Sequence, residues 1–243
     1  MKESHFFYVS TLPETEELPL DEAQHAIRVL RLKTGDQLWL LDGVGNFYQA
    51  EVTLTTSKRC LFRILDMISQ PKGWYGSIHL AIAPTKNIDR MEWMVEKACE
   101  VGIDHFSFLQ CKFSERKVLR IDRLEKIMVS AVKQSRKSMM PTINELSSFE
   151  EFITSPRKGL KFIAHCYPEI EREDFFNILQ QTDANEDITV LIGPEGDFSI
   201  DEVKFAMDNG YSPISLGNSR LRTETAGLYA VMMSQLTKRN LEV

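Results

Sequence analysis

The spacing of apolar segments changes once along this chain, at Ser69–Ser77 (SQPKGWYGS), where Pro71, Gly73 and Gly76 fall close together. Such a cluster interrupts both helix and strand and marks a junction between domains. Upstream, short apolar runs at His5–Ser10, Gln37–Leu41, Phe47–Thr53 and Cys60–Leu65 read as strands. Asp42-Gly43-Val44-Gly45-Asn46 forms a hairpin loop between two of them, because Gly and Asn accept positive φ. A single helix, Asp21–Leu32, carries His25, Arg28 and Arg31 at three-residue steps along one side. Strands this closely spaced predict a small β-barrel or sandwich.

Downstream, strands alternate with helices. Ile78–Ala83 is an apolar run, and Asn87–Val101 places Met91, Met94, Val95, Ala98 and Val101 on a helical period closed by Gly102. His105–Gln110, Leu160–Cys166, Ile188–Ile192 and Ser212–Leu216 read as further strands, and Arg120–Lys137, Ser199–Asn209 and Thr223–Arg239 as helices. Ser199 and Glu202 make a capping box, with Gly210 at the far end of that helix. This alternation implies a mostly parallel sheet. The expected fold is therefore α/β, with a β-rich domain over 1–70 and an α/β domain over 75–243.

Composition narrows the partners. Apolar residues make up 43% and charged residues 26% of 243, enough for a core. No stretch approaches the ~18 apolar residues of a membrane span, and Glu3, Ser4 and His5 break any export signal. Cys60, Cys99, Cys111 and Cys166 stand far apart without metal or disulfide spacing, which predicts reduced, mostly buried thiols in a cytoplasmic protein. The net charge of −6 argues against nucleic acid, yet Lys112–Met140 holds nine basic residues against three acidic ones. That run reads either as a phosphate-binding stripe or as a solvated helix face with an Asp122–Lys126 pair.

Two loops at predicted strand ends can hold a ligand. Ile192-Gly193-Pro194-Glu195-Gly196-Asp197-Phe198 is a stiff turn whose backbone a ligand can approach. Ser215-Leu216-Gly217-Asn218-Ser219-Arg220-Leu221-Arg222-Thr223-Glu224-Thr225 enters an apolar helix with two arginines, a carboxylate and hydroxyls. Helix starts disfavour arginine, so Arg220 and Arg222 either serve a ligand or pair with Glu224 and Glu195. Gly43-Val44-Gly45 lacks the third glycine of a dinucleotide fingerprint, and there is no Walker loop, zinc-protease motif or nucleophile elbow. Met91, Trp93 and Met94 read as core or interface residues.

These loops resemble those of the ribosomal RNA small subunit methyltransferase E family, of the SPOUT class. The likeness extends to His25-Ala26-Ile27-Arg28-Val29-Leu30-Arg31, Gly35-Asp36, Asp42-Gly43, Arg90-Met91-Glu92, Lys97-Ala98, Glu100-Val101-Gly102 and Ala131–Gln134, nearly the whole chain. Three positions depart from the family pattern. His5 stands where arginine is common, Lys133 where glutamate precedes the glutamine, and Asp197 where a second glycine usually ends the loop.

The resemblance implies a PUA-like β-barrel first domain, a second domain with a carboxyl-terminal trefoil knot, and a homodimer. It also implies methyl transfer from S-adenosylmethionine to N3 of a uridine in 16S ribosomal RNA, free or in the assembled small subunit, without metal. The cofactor residues would be His165, Ile192, Gly193, Pro194, Glu195, Gly196, Leu216, Gly217, Leu221, Arg222 and Thr225. Removing the N3 proton spreads charge onto the uracil carbonyls, which a fixed guanidinium stabilises. Arg222 is the expected stabiliser, with Glu224 its orienting partner or the general base; the alternative is that both only lock the loop. Arg28, Arg31, Arg116, Lys117, Arg136 and Lys137 are the expected RNA contacts. A tRNA methyltransferase and a non-catalytic RNA-binding or ribosome-assembly module are the competing readings.

Overall fold

The structure is a computed structural model describing residues 5–239. The chain divides into two compact units, one of residues up to Lys72 with Val129–Met140, the other of Gly73–Met128 with the chain from Pro141 onward.

The first unit is built on one four-stranded sheet of β1 (Phe6–Tyr8), β2 (Gln37–Leu41), β3 (Asn46–Thr55) and β4 (Cys60–Ser69), in that order. β1 runs parallel to β2, and the other pairings are antiparallel. Alternation sends Phe7, Leu38, Leu40, Tyr48, Ala50, Val52 and Phe62 to one buried face. The hairpin loop is fastened from inside. The buried Asp42 carboxylate accepts from the backbone N–H of Val44 (2.8 Å) and Asn46 (3.0 Å) and from Asn46 Nδ2 (2.7 Å).

The expected helix Asp21–Leu32 is shorter and changes pitch. α1 (Leu20–Gln24) passes into a π-helical turn, His25–Val29, where the Leu30 N–H reaches back five residues to His25 O (3.1 Å). Arg31 adopts φ 56°, outside the helix, so the three-residue stripe through His25, Arg28 and Arg31 does not exist as one face.

The second unit carries a seven-stranded, all-parallel sheet. Its strands are β5 (Ile78–Ile82), β6 (His105–Gln110), β7 (Thr142–Ser148), β8 (Leu160–Ala164), β9 (Glu173–Asp174), β10 (Ile188–Ile192) and β11 (Ser212–Ser215). The order is β7-β6-β5-β10-β8-β11-β9. β10 (ITVLI) is buried at every position, as a strand covered on both faces must be. Phe149, Phe152 and Ile153 of α4 (Phe149–Thr154) and Val203 and Ala206 of α6 (Ile200–Asp208) join Ala81, Ile163 and Leu191 in one cluster. α7 (Thr223–Lys238) packs on β5 and β10, with α2 (Ile88–Val101) and α5 (Phe175–Gln181) against it.

α3 (Ile121–Gln134) starts in the second unit, while its last turns and the segment to Met140 belong to the first. Lys133 Nζ there pairs with Glu22 (2.6 and 2.9 Å), and the Met140 N–H donates to Gly43 O (2.9 Å). The sequence-based limits assign this stretch wholly to the second domain; its bonds tie it to the β-rich unit instead.

Candidate active site

Because the sheet is parallel, β5, β10, β8 and β11 all end at the same edge, and the loops that follow them meet there. A crevice of about 970 Å³ opens between His165–Tyr167 with Arg172, Ile192–Asp197, and Ser215–Thr223. Its size is at the upper end of the ~300–1,000 Å³ typical of small-ligand sites.

Two glycines give it its shape. A Cβ on Gly193 would stand 2.9 Å from the backbone nitrogen of Phe198, so the chain folds back on itself only with glycine there. Gly217 has φ +104°, which side chains resist, and a Cβ there would meet open space. Leu216 and Leu221 line the opposite wall, half-buried.

Asp197 sits at φ 67°, a left-handed conformation that aspartate tolerates better than most residues. Its N–H closes the turn onto Pro194 O (2.9 Å). Its carboxylate accepts from the N–H of Phe198 (2.7 Å) and from that of Cys166 (2.8 Å), in the loop after β8. Tyr167 adds a second tie, donating its hydroxyl to Phe198 O (2.7 Å). The Asp197 carboxylate thus latches two walls of the crevice together. It also joins burial in pushing the Cys166 thiol up, which keeps that exposed sulfur protonated.

His165 is buried. Its Nδ1 accepts the Tyr167 N–H (3.2 Å), so in the neutral ring the proton is on Nε2, a buried atom without a partner in the described residues. Burial first, then the nearby Arg172 guanidinium, holds its pKa below the ordinary histidine value. A neutral imidazole lining a crevice with an unsatisfied N–H is a donor prepared for a ligand acceptor.

Arg222 occupies the N-cap of α7, exposed at the crevice wall, and Thr223 beside it is buried. Glu224 does not orient Arg222. It is buried, its Oε1 lies 3.7 Å from Arg90 Nε on α2, and its Oε2 has no hydrogen-bond partner. Neither Glu224 nor Thr225 lines the crevice, because the helix turns their side chains away from it. Glu195 directs its carboxylate to the Lys86 N–H (2.8 Å), in the loop after β5. Cys166, Tyr167, Arg172 and Asp197 were not singled out as ligand contacts by sequence. The signal that finds them is positional: each follows the end of a buried strand in the same sheet.

The basic run is more neutralised than its composition suggests. Arg116 shares its guanidinium with backbone, donating to Thr85 O (3.0 Å) and Lys86 O (2.5 Å). Lys112 pairs with Asp201, Arg120 with Asp122, Arg123 with Glu92, and Lys133 with Glu22. Lys117 is exposed and, with Lys86, Glu115, Arg116 and Val118, lines a cleft of about 350 Å³. Arg28, Arg31 and Arg136 are exposed on the first unit, and Lys137 is half-buried there. Among the described residues no group of three or more His, Cys, Asp or Glu is placed to hold a metal ion, and no helix is long and apolar enough to cross a membrane.

A parallel α/β sheet with its crevice at the strand ends, preceded by a small β unit, fits a two-domain RNA methyltransferase. The chain belongs to the RNA methyltransferase family: the family model for the RNA methyltransferase domain matches residues 74–235, and that for the RNA methyltransferase PUA domain matches 18–65. More particularly, it is 26% identical over 246 residues to the "Ribosomal RNA small subunit methyltransferase E" of Rickettsia conorii, covering 100% of this chain and 99% of that one. It is similar to a probable rRNA-methyltransferase from Porphyromonas gingivalis (39% identity, TM-score 0.89, 96% of this chain and 98% of the other). A Legionella pneumophila methyltransferase solved "in complex with the bound cofactor SAM" superposes with TM-score 0.85 at 26% identity, over 96% and 98% of the two chains. The family resemblance read from the sequence is borne out.

Proposed function

We propose that the protein transfers a methyl group from S-adenosylmethionine to N3 of a uridine in the 16S ribosomal RNA of the small subunit, acting in the cytoplasm as a homodimer. The observation that carries this reading is the crevice. It has the volume for such a cofactor, a glycine-lined floor at Gly193, and the buried, unpartnered His165 Nε2 as a donor. S-adenosylmethionine supplies, when bound, a methyl group already activated on a sulfonium.

The protein's share is positioning and charge. Ile192–Gly196 and Leu216–Leu221 offer backbone groups and apolar flanks to a purine and an amino-acid tail, and holding reactants in line contributes ~7–11 kcal/mol to such reactions. Arg222, exposed at the crevice wall and without an ion-pair partner among the described residues, is free to face the uracil carbonyls as N3 loses its proton. Glu224 enters differently from the expectation, as a positioning residue that fixes α2 to the first turn of α7 through Arg90. Lys117, Arg28, Arg31, Arg136 and Lys137 are the proposed RNA contacts.

The homodimer is supported by an apolar stripe: Tyr229, Met232 and Leu236 are exposed at helical spacing on α7, and Trp93 is exposed on α2 beside it. In sedimentation velocity, Met232→Glu with Leu236→Lys is expected to convert a dimer to a monomer; an unchanged sedimentation coefficient counts against it. The trefoil knot belongs to the same reading, supported by the strand order in which β10 enters between β5 and β8.

The deciding experiment offers bare 16S RNA, assembled small subunits and tRNA to the enzyme with labelled cofactor, then identifies the methylated nucleoside. 3-Methyluridine in the small-subunit RNA is expected. Labelled tRNA would move the substrate, and RNA binding without transfer would leave a non-catalytic module. Arg222→Met is expected to lower turnover by roughly 100- to 1,000-fold with cofactor affinity within a few-fold of the parent. Near-parental turnover would refute the electrostatic role.

A further inference from the structure

The face of the first unit's sheet opposite its main core cluster carries aromatic side chains, of which Phe47 is buried and Phe6 and Trp39 are half-buried. Phe6 on β1 and Trp39 on β2 are register partners on the face opposite Phe7, Leu38 and Leu40. Both are half-buried, with ring centroids 6.1 Å apart and planes within 16°. Phe47 of β3 sets its edge to Phe6 at 5.7 Å and 70°, bracing it from the side. The Arg136 guanidinium lies 5.4 Å over the Phe6 ring. It is held there by the turn that ends α3, where Arg136 takes φ 52° and its N–H donates to Lys133 O (3.2 Å).

Near-parallel aromatic rings left half-open beside a cation are unusual on a surface meant only for water. Single-stranded nucleic acid is held by this combination, with bases on aromatic faces and arginine serving both ring and phosphate. A duplex, whose bases already stack on each other, offers no face to such a surface. From this juxtaposition we infer that Trp39, Phe6 and Arg136 form a stacking platform for an unpaired RNA base. Trp39 supplies the π-face and Arg136 the contact to the adjoining phosphate. The inference rests on the reading of the protein as an RNA enzyme, and adds that its substrate is gripped at an unpaired nucleotide other than the one methylated.

The test uses the full chain and fluorescent oligoadenylate, which presents no uracil to the crevice, alone and annealed to oligouridylate. Trp39→Leu keeps apolar bulk but no ring, Trp39→Phe keeps a ring, and thermal unfolding checks that each folds. Trp39→Leu is expected to weaken binding of the single strand roughly 5- to 150-fold, with Trp39→Phe losing much less and duplex binding unmoved. Arg136→Asn, which suits the left-handed backbone, is expected to reduce the slope of log affinity against log salt by about 0.7. It also serves as the test if Trp39→Leu fails to fold. Parental single-strand affinity in Trp39→Leu, or an unchanged salt slope in Arg136→Asn, would overturn the platform. Equal losses for strand and duplex, or altered self-association with RNA binding intact, would do the same. Methyl transfer measured in parallel separates the two failures, because a platform that fails in an active enzyme leaves the proposed function standing.

Discussion

At the scale of single residues, the most informative position is the last of the turn after β10. Asp197 takes the left-handed turn that glycine would take freely, and its carboxylate then latches the loops after β8 and β10. Asp197→Ala removes the latch and retains the backbone strain, so it is expected to destabilise the protein by about 1–3 kcal/mol in urea unfolding. Asp197→Asn tolerates the same φ and keeps one acceptor, and is expected to cost less. Equal stability of both variants and the parent would show that the carboxylate holds nothing. Glu224 teaches the converse. Its proximity to Arg222 in sequence suggests a pair, but two residues along a helix start point different ways, and its partner comes from α2.

Among the elements, those with strong local signals are where the sequence puts them. α6 has the reciprocal capping box expected of Ser199 and Glu202, with the Ser199 N–H donating to Glu202 Oε2 (2.7 Å). Glu202 Oε1 also accepts the Lys112 N–H (2.7 Å), fastening the loop after β6 to the start of α6. Glu202→Ala removes these bonds and the one from the Ser199 hydroxyl (2.9 Å), and is expected to cost about 1–2 kcal/mol by chemical denaturation, against ~1 kcal/mol for Ser199→Ala, which leaves the Lys112 bond in place. A smaller loss in Glu202→Ala would deny the Lys112 bond its role. What sequence left out had weak or competing signals. β7 (TINELSS) is an edge strand whose polar residues show no apolar run, and α5 (FFNILQQ) is two turns long. The π-turn at His25–Val29 inserts a residue that helical spacing cannot reveal. The two crevice loops are legible because glycines and arginines cluster there; of the loop after β8 the resemblance picks out only His165, since Cys166, Tyr167 and Arg172 resemble ordinary loop residues. The pairing within the basic run is not legible, because its partners, such as Glu22 for Lys133 and the Thr85 carbonyl for Arg116, are remote in sequence.

For the whole molecule, stability should depend on pH through a half-buried histidine of the large sheet. His79 on β5 bonds Ser107 Oγ (2.9 Å), which also accepts from Asn144 Nδ2 (3.0 Å), while His105 and Phe152 rings crowd it. Burial above all, then His105 and Arg157, holds its pKa at about 3, against 6.5 when free. The unfolded chain therefore binds a proton that the folded one refuses, and stability falls as pH drops below about 6.5, by ~1.4 kcal/mol per unit toward pH 3. Urea unfolding at pH 7.5 and 5 should show this loss in the parent and a smaller one in His79→Gln; identical losses would refute the assignment. One last feature ties the ends of the second unit together. Lys238, buried at the close of α7, donates to Ala184 O (2.7 Å) and Glu186 O, just ahead of β10, while the same helix begins at Arg222 on the crevice wall. α7 is in effect a strut between the entry to the central strand and the rim where that strand delivers Gly193. A mechanical load applied beyond Lys238 would be felt first at the root of β10, before it reached the mouth of the site.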